Sequence, residues 1–426
     1  MKRAGTPVLR PRRRQVSGVL GTGGAPAIFA AMDAPSHPDS LADAPAGAPA
    51  DARRTSIWRV LLPVAISLGA LGIVFWGTYH PGAFTLVARH FRPDIFALAV
   101  AGLGLQFLAG GLRLRHVSGG VLTPRAGVRG QITWDFMSTL APPAVGGAPF
   151  AALFVSRENR LPYGQVSAVM LFTMLMDQLW FAIAIVGMYV AAVWLPVFPT
   201  SLGAAGVGTV ALYLGGLLVY ISFFAYATLV RPELIETVAG YVVRLPFLRR
   251  FEPTVRRETR RLGQQARRLR HKPLRFYLVG VGYTALYWTA RYGILLMVAL
   301  SFVADVPEDA EHFPQYGTFR ATLYVIRSAG LWLAGLVMPT PGGAGGIEAL
   351  AVLYLGPLLP SGFIGPVLIV WRMLTYHLVL GIGLVVAGHV LKQMLRGESP
   401  PPILDPDDPD DVPLQGPVAV VSGERP

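Results

Sequence analysis

The chain contains no cysteine in 426 residues. That excludes disulfide frameworks, thiolate zinc sites, iron–sulfur clusters and cysteine nucleophiles together. Charge is scarce too: Asp, Glu, Lys and Arg make up 14% of the chain, against ~25% in ordinary soluble domains. Lysine is nearly missing, so the net charge of +13 rests almost wholly on arginine. The eight histidines do not fall at metal-ligand spacing, and no metal site is expected. HExxH, Gly-x-Ser-x-Gly, Walker and dinucleotide sequences are all missing, so neither ATP-driven transport nor metal hydrolysis finds support and no cofactor is expected. No aromatic-interleaved basic fold accompanies the arginines, which argues against a nucleic-acid partner.

What is present is apolar. Hydrophobic residues make up 53% of the chain and mean hydropathy is +0.49. A soluble fold of this size cannot hide so much apolar surface, so the sequence reads as an integral membrane protein. The arginine excess then belongs in loops that face anionic lipid.

Residues 1–56, rich in Ala, Pro, Gly and Arg, read as a disordered basic tail, and 397–426 as a disordered acidic, Pro-rich one. In the latter, Asp407-Asp408-Pro409-Asp410-Asp411 imitates a diphosphate–Mg²⁺ motif, but prolines 406, 409 and 413 deny it the helix that would align its carboxylates. Between the tails lies a transmembrane domain over 57–396. Spans of about 20 apolar residues are predicted at 60–77, 95–112, 166–194, 203–230, 276–303, 318–338 and 363–391. Two further apolar segments, 131–155 and 341–359, are broken by Leu140-Ala-Pro-Pro-Ala-Val-Gly-Gly-Ala-Pro149 and by Pro339-Thr-Pro-Gly-Gly-Ala-Gly-Gly-Ile-Glu348.

Loop charge orients these spans. The stretch 231–275 carries 13 Lys and Arg against 4 Glu and reads as cytoplasmic. Arg113, Arg115, Arg125 and Arg129 assign 113–130 to the same side, and Arg157 and Arg160 assign 156–165 there too. The acidic loop 301–317 belongs outside. Segment 131–155 therefore enters from the cytoplasm and returns as a re-entrant hairpin. The segment 341–359 reads either as a short crossing or as a second hairpin. The expected fold is an all-α polytopic membrane protein of about eight transmembrane helices, with one or two re-entrant Pro/Gly-broken hairpins and both termini cytoplasmic. Within 231–275, Thr254–His271 would form a basic helix on anionic headgroups or act only as a topology signal.

Ionisable groups at membrane depth are costly and mark candidate sites. Here they are Asp135, Asp177 and Glu348 among the acids and Arg291, Arg327 and Arg372 among the bases, with Arg320 and His377 nearer helix ends. They either pair with one another and hold the bundle, or line a polar path where arginine takes phosphate bidentately. Broken backbone at this depth needs protein or a water-filled cavity around it, and paired breaks in two halves point to a transporter's site. The backbone candidates are Pro143, Gly146 and Gly147 in the first break and Pro341, Gly342 and Gly343 in the second.

These residues resemble the lysylphosphatidylglycerol synthase transmembrane-region, or flippase-like, family over roughly 60–395. The run APPAVGGAPFAALFVSR (141–157) is similar to the family's Pro-x-x-x-Gly-Gly-Glu-Pro stretch. Asp177 in VMLFTMLMDQLWF, Glu348 in PTPGGAGGIEA and Arg372 in WRMLTYHLVLGIG match further family patterns. One departure stands out: Ala148 occupies the place of the family's glutamate, and Asp135 could replace it only if the hairpin brought it to the tip. The resemblance implies translocation of a lipid or polyprenyl-phosphate-linked substrate across the plasma (inner) membrane. No aminoacyl-transferase domain follows the last span in this sequence. Alternatives are a membrane-embedded transferase on a lipid-phosphate donor and a non-catalytic partner of cell-envelope glycosyltransferases; the expected partners are anionic or polyprenyl-phosphate lipids.

Overall fold

A computed structural model describes residues 83–231, 272–306 and 320–395, apart from 142, 144, 145, 200, 201 and 361, together with six isolated helical positions between 65 and 76. Both tails, the basic segment 254–271 and most of the 60–77 span lie outside the described residues. All regular structure among the described residues is helical.

In chain order the helices are α1 (Ala83–His90), α2 (Pro93–Val117), α3 (Pro124–Leu140), α4 (Ala148–Asn159), α5 (Tyr163–Ala191), α6 (Gly203–Leu229), α7 (Leu274–Val303), α8 (Arg320–Gly335), α9 (Gly346–Leu355), α10 (Ile364–Arg372) and α11 (Leu378–Leu395). A π-helical turn, Met373–His377, joins α10 to α11 in one long helix. Among the described residues, five helices are long and apolar enough to span a bilayer: Pro93–Val117, Tyr163–Ala191, Gly203–Thr228, Leu274–Val303 and Ile364–Gly388.

α2 and α7 form the antiparallel centre of the bundle. The Arg92 N–H donates to Ser301 O at one end, and the His116 ring stacks on Phe276 at the other. Pro93 sits in the first turn of α2, where its missing N–H costs nothing. Glycine sets the next contact. A Cβ on Gly111 of α2 would lie 2.5 Å from Val128 Cα, and one on Gly127 of α3 would collide with Gly111 O. Only bare backbone lets α3 sit this close, which is the usual logic of small residues at membrane helix contacts.

α3 and α4 are two arms of a hairpin. Arg129 Nε and Glu158 Oε1 pair at 2.5 Å across its open end, and Ser138 Oγ accepts from Gly147 N at 3.1 Å near its tip. Its first arm starts at Pro124 rather than 131, and its tip is the Pro/Gly break expected from the sequence. α8 and α9 form the second hairpin. Tyr324 OH donates to Leu358 O, Arg327 to Tyr354 O, and Gly335 packs on Ile347. Of the two readings left open for 341–359, the short crossing and the second hairpin, this pairing matches the hairpin. α9 has ten residues, about 15 Å against a ~30 Å hydrocarbon core. The helices within 318–338 and 341–359 thus pack as the two arms of one hairpin.

The hairpins lie end to end along the α10–α11 helix. Glu348 at the start of α9 reaches Arg372 in α10, whereas Phe136 of α3 packs on Gly383 of α11. Their tips join: the Gly342 N–H donates to Ala141 O at 2.9 Å. A Cβ on Gly343 would lie 3.7 Å from Pro143 Cγ. Gly146, Gly342 and Gly343 take φ of 67°, 58° and 68°, the left-handed region where glycine carries no Cβ penalty. The junction faces the π-helical turn, where Tyr376 OH points to Thr139 O at 3.5 Å.

Candidate functional site

Two polar clusters sit inside this frame. The first is built around the second hairpin's tip. Glu348 is the third residue of α9; its Oε2 accepts from the Gly345 N–H at 2.8 Å, so the side chain caps its own helix. Its Oε1 accepts from Arg372 Nε at 2.6 Å, and the two side chains are 0% and 2% exposed. The Arg372 guanidinium lies over the Tyr376 ring at 4.6 Å. Its Nη2 is buried with no hydrogen-bond partner among the described residues. A charge-assisted bond from Nε thus holds the arginine, and Nη2 is left over.

The second cluster joins α2, α3, α5 and α7. Arg113, 1% exposed, pairs with Asp177 through Nη1, and Trp288 Nε1 donates to the same Asp177 oxygen at 2.7 Å. Asp135 is held differently. Gln106 Nε2 donates to Oδ2 at 3.0 Å; Gln131 Nε2 and Tyr287 OH donate to Oδ1 at 3.1 and 2.8 Å. Arg291 reaches this carboxylate only through the tyrosine, with Nη1 3.3 Å from Tyr287 OH. The Arg113 guanidinium stacks on the Tyr287 ring at 4.9 Å, so the phenol touches both halves of the cluster.

Aromatic rings connect the two clusters. Arg291 lies 4.0 Å over Trp332 of α8, which meets Trp371 edge to face at 6.3 Å, beside Arg372. The cation–π contacts compensate part of the desolvation of the Arg291 guanidinium.

The sequence-predicted residues thus divide. Asp177, Asp135 and Arg291 share one cluster, Glu348 and Arg372 the other, and the backbone candidates Pro143, Gly146, Gly147, Pro341, Gly342 and Gly343 lie in the breaks between hairpin arms. Arg327 stands elsewhere: its Nη1 and Nη2 donate to Tyr354 O and Pro196 O at 3.0 and 2.6 Å. Those bonds satisfy a carbonyl in the last turn of α9 and pin the loop before α6. His377 Nδ1 lies 3.3 Å from Arg372 O in the π-helical turn. The Arg320 side chain lies outside the described residues.

Arg113 corrects the loop reading. Counted as a cytoplasmic loop charge, it is in fact buried in α2, which runs on to Val117. The mirror of that error was an Asp177 with no assigned partner. Gln106, the one amide in the apolar run LGLQFLAGG, and Tyr287 in TALYWTARYG were also passed over. Asp135 does not stand in for the glutamate replaced by Ala148; its carboxylate turns toward α2 and α7, while Ala148 is buried at the start of α4.

The fold and these clusters define a multi-pass, all-α membrane protein built on two opposed helical hairpins. The family described as lysylphosphatidylglycerol synthase TM region matches residues 60–383, and the chain belongs to that family. No curated protein matches the chain.

Proposed function

We propose that the protein moves an anionic amphipathic lipid, of the phospholipid or polyprenyl-phosphate class, between leaflets of the inner membrane, with both termini cytoplasmic. The observation that carries this reading is the Arg372 guanidinium: it is buried beside the junction of two interrupted backbones and keeps Nη2 unengaged. A phosphate oxygen there would take a charge-assisted hydrogen bond while Glu348 holds Nε. The hairpin junction is the natural gate, because among the described residues it is held by the Gly342 N–H to Ala141 O bond at glycine- and proline-rich backbone. Arg291 and Trp332 would lead the headgroup from one cluster to the other. Arg327, occupied with backbone carbonyls, serves the frame. The tails and the basic segment 254–271 are proposed to remain on the cytoplasmic face.

The test uses purified full-length protein in sealed vesicles that contain fluorescent phosphatidylglycerol or a fluorescent polyprenyl phosphate, with external quencher to count the accessible fraction. Wild type is expected to expose inner-leaflet probe, and Arg372→Lys to fall at least about tenfold while remaining monodisperse. Lysine keeps a point charge for Glu348 but lacks the second, planar donor. Transport unchanged in Arg372→Lys removes this residue from the path. Product formation from a lipid-phosphate donor in detergent, where leaflets do not exist, would replace translocation by transferase chemistry. Specific co-purification of an envelope glycosyltransferase without lipid movement would favour an assembly role.

A further inference from the structure

Three carboxylates lie deep in the bundle, and they are not equivalent. Asp177 and Glu348 each hold an arginine directly. Asp135, with 7% of its surface exposed, is bound by three neutral donors and forms no ion pair among the described residues. Protonating either of the first two would strand a buried guanidinium without its counter-charge. Protonating Asp135 breaks no ion pair. An acceptor for the new O–H is also at hand: Gln131 donates to Asp135 through Nε2, and its Oε1 is buried with no hydrogen-bond partner among the described residues. Half a turn of that amide exchanges donor for acceptor without moving the backbone.

We propose that Asp135 is a reversible proton-binding site, and that its loading frees Arg291 for an anionic headgroup. A proton from water bonds to Oδ1, the carboxylate becomes a neutral acid, and the acid donates to Gln131 Oε1. Tyr287 OH then loses its charged acceptor. The charges facing the site are Arg113 from α2, Asp177 from α5 and Arg291 from α7. Before loading, two acids balance two arginines; afterwards one positive charge is uncompensated, and Arg113 remains held by Asp177. Arg291 is the group left over, with its Nε unpartnered. A phosphate monoanion restores neutrality, so proton and anion load together. Release of the proton to the other side restores the Asp135 carboxylate and expels the anion. This second half rests on the translocation reading; the proton site itself does not.

The test therefore begins without transport. Infrared difference spectra of the full-length protein in micelles follow the protonated carboxyl stretch as pH is lowered. The expected result is one carboxyl band that is lost in Asp135→Asn. In Tyr287→Phe, which keeps the ring and removes one donor to the charged form, the band persists to higher pH. This second variant guards against misfolding of the first. Binding of dodecyl phosphate in micelles should tighten at least about tenfold as the band appears. Asp135→Asn should abolish that pH dependence, and Arg291→Gln should weaken binding while leaving the band. A band of full strength in folded Asp135→Asn, no band in wild type, or Na⁺-dependent stabilisation lost in Asp135→Asn would each overturn the proton site. A normal Asp135 band in a protein that moves no lipid leaves the site standing and overturns translocation alone.

Discussion

Glu348→Ala is expected to destabilise the protein by roughly 3–5 kcal/mol, the usual result of stranding one partner of a buried ion pair. The loss has two parts, because this carboxylate does two jobs. It caps α9 through the Gly345 N–H, and it balances Arg372. In a ten-residue helix, losing the cap alone costs about 1 kcal/mol. Thermal unfolding in detergent should show an earlier transition, and transport should be lost with it. The double variant Glu348→Ala/Arg372→Leu separates the parts. With both charges gone, most of the stability should return, since exchanging a buried pair for apolar groups is often neutral. Transport should stay at background, because the phosphate donor is gone as well. A double variant as unstable as Glu348→Ala would mean that the pair is not what holds the second hairpin.

Gly111→Leu is expected to abolish accumulation of folded protein. The Cβ alone would sit 2.5 Å from Val128 Cα, a backbone atom that cannot rotate out of the way. Relief requires α3 to move away from α2, and that separation pulls Asp135 from Gln106. It also shifts the face of α2 that carries Arg113 toward Asp177. Overpacking of a core typically costs 1–3 kcal/mol when side chains can yield; here the obstruction is main chain. Gly104, on the same helix with open space around its Cβ position, is the matched control. Gly104→Leu should accumulate as wild type does. Equal accumulation of the two leucine variants, judged by size-exclusion profile, would refute the close α2–α3 contact.

Much of this fold was legible before the structure. Apolar runs placed α2, α5, α6, α7 and the α10–α11 helix, because a span has no choice but to be long and apolar. The Pro-Pro…Gly-Gly run marked the first hairpin's tip and the Pro-Thr-Pro-Gly-Gly run a second break, since proline and glycine at depth leave few alternatives to a break; whether the second segment crossed or turned back stayed open. That the tips meet was not legible. It depends on the packing of both hairpins along one helix, and no local pattern encodes the Ala141–Gly342 hydrogen bond. The length of α9 was hidden too, because an apolar string looks the same whether it crosses or turns back.

The site shows the same division. Asp177, Glu348 and Arg372 stood out because charge at depth is rare. Arg113 did not, because positive-inside reasoning absorbs every arginine near a helix end into the loop. Tyr287 carries no charge to notice, yet it joins Asp135 to Arg291. Neutral hydrogen-bonding groups in a membrane chain are where sequence reading loses the network, since their role is decided by partners distant along the chain.

On the translocation reading, the two hairpin tips that meet at Ala141 and Gly342 part for transport. The most direct measurement exploits the cysteine-free chain: Ala141→Cys with Pro341→Cys, reconstituted in sealed vesicles and treated with a short bifunctional thiol reagent. The Gly342 N–H meets Ala141 O at 2.9 Å, which brings residues 141 and 341 within reach of such a link and leaves the left-handed glycines untouched. The expected result is rapid crosslinking of the pair and of neither single variant, with lipid movement stopped by the link and restored when it is reduced. A folded pair that does not crosslink, or a crosslinked protein that still moves lipid at the unlinked rate, would contradict the account.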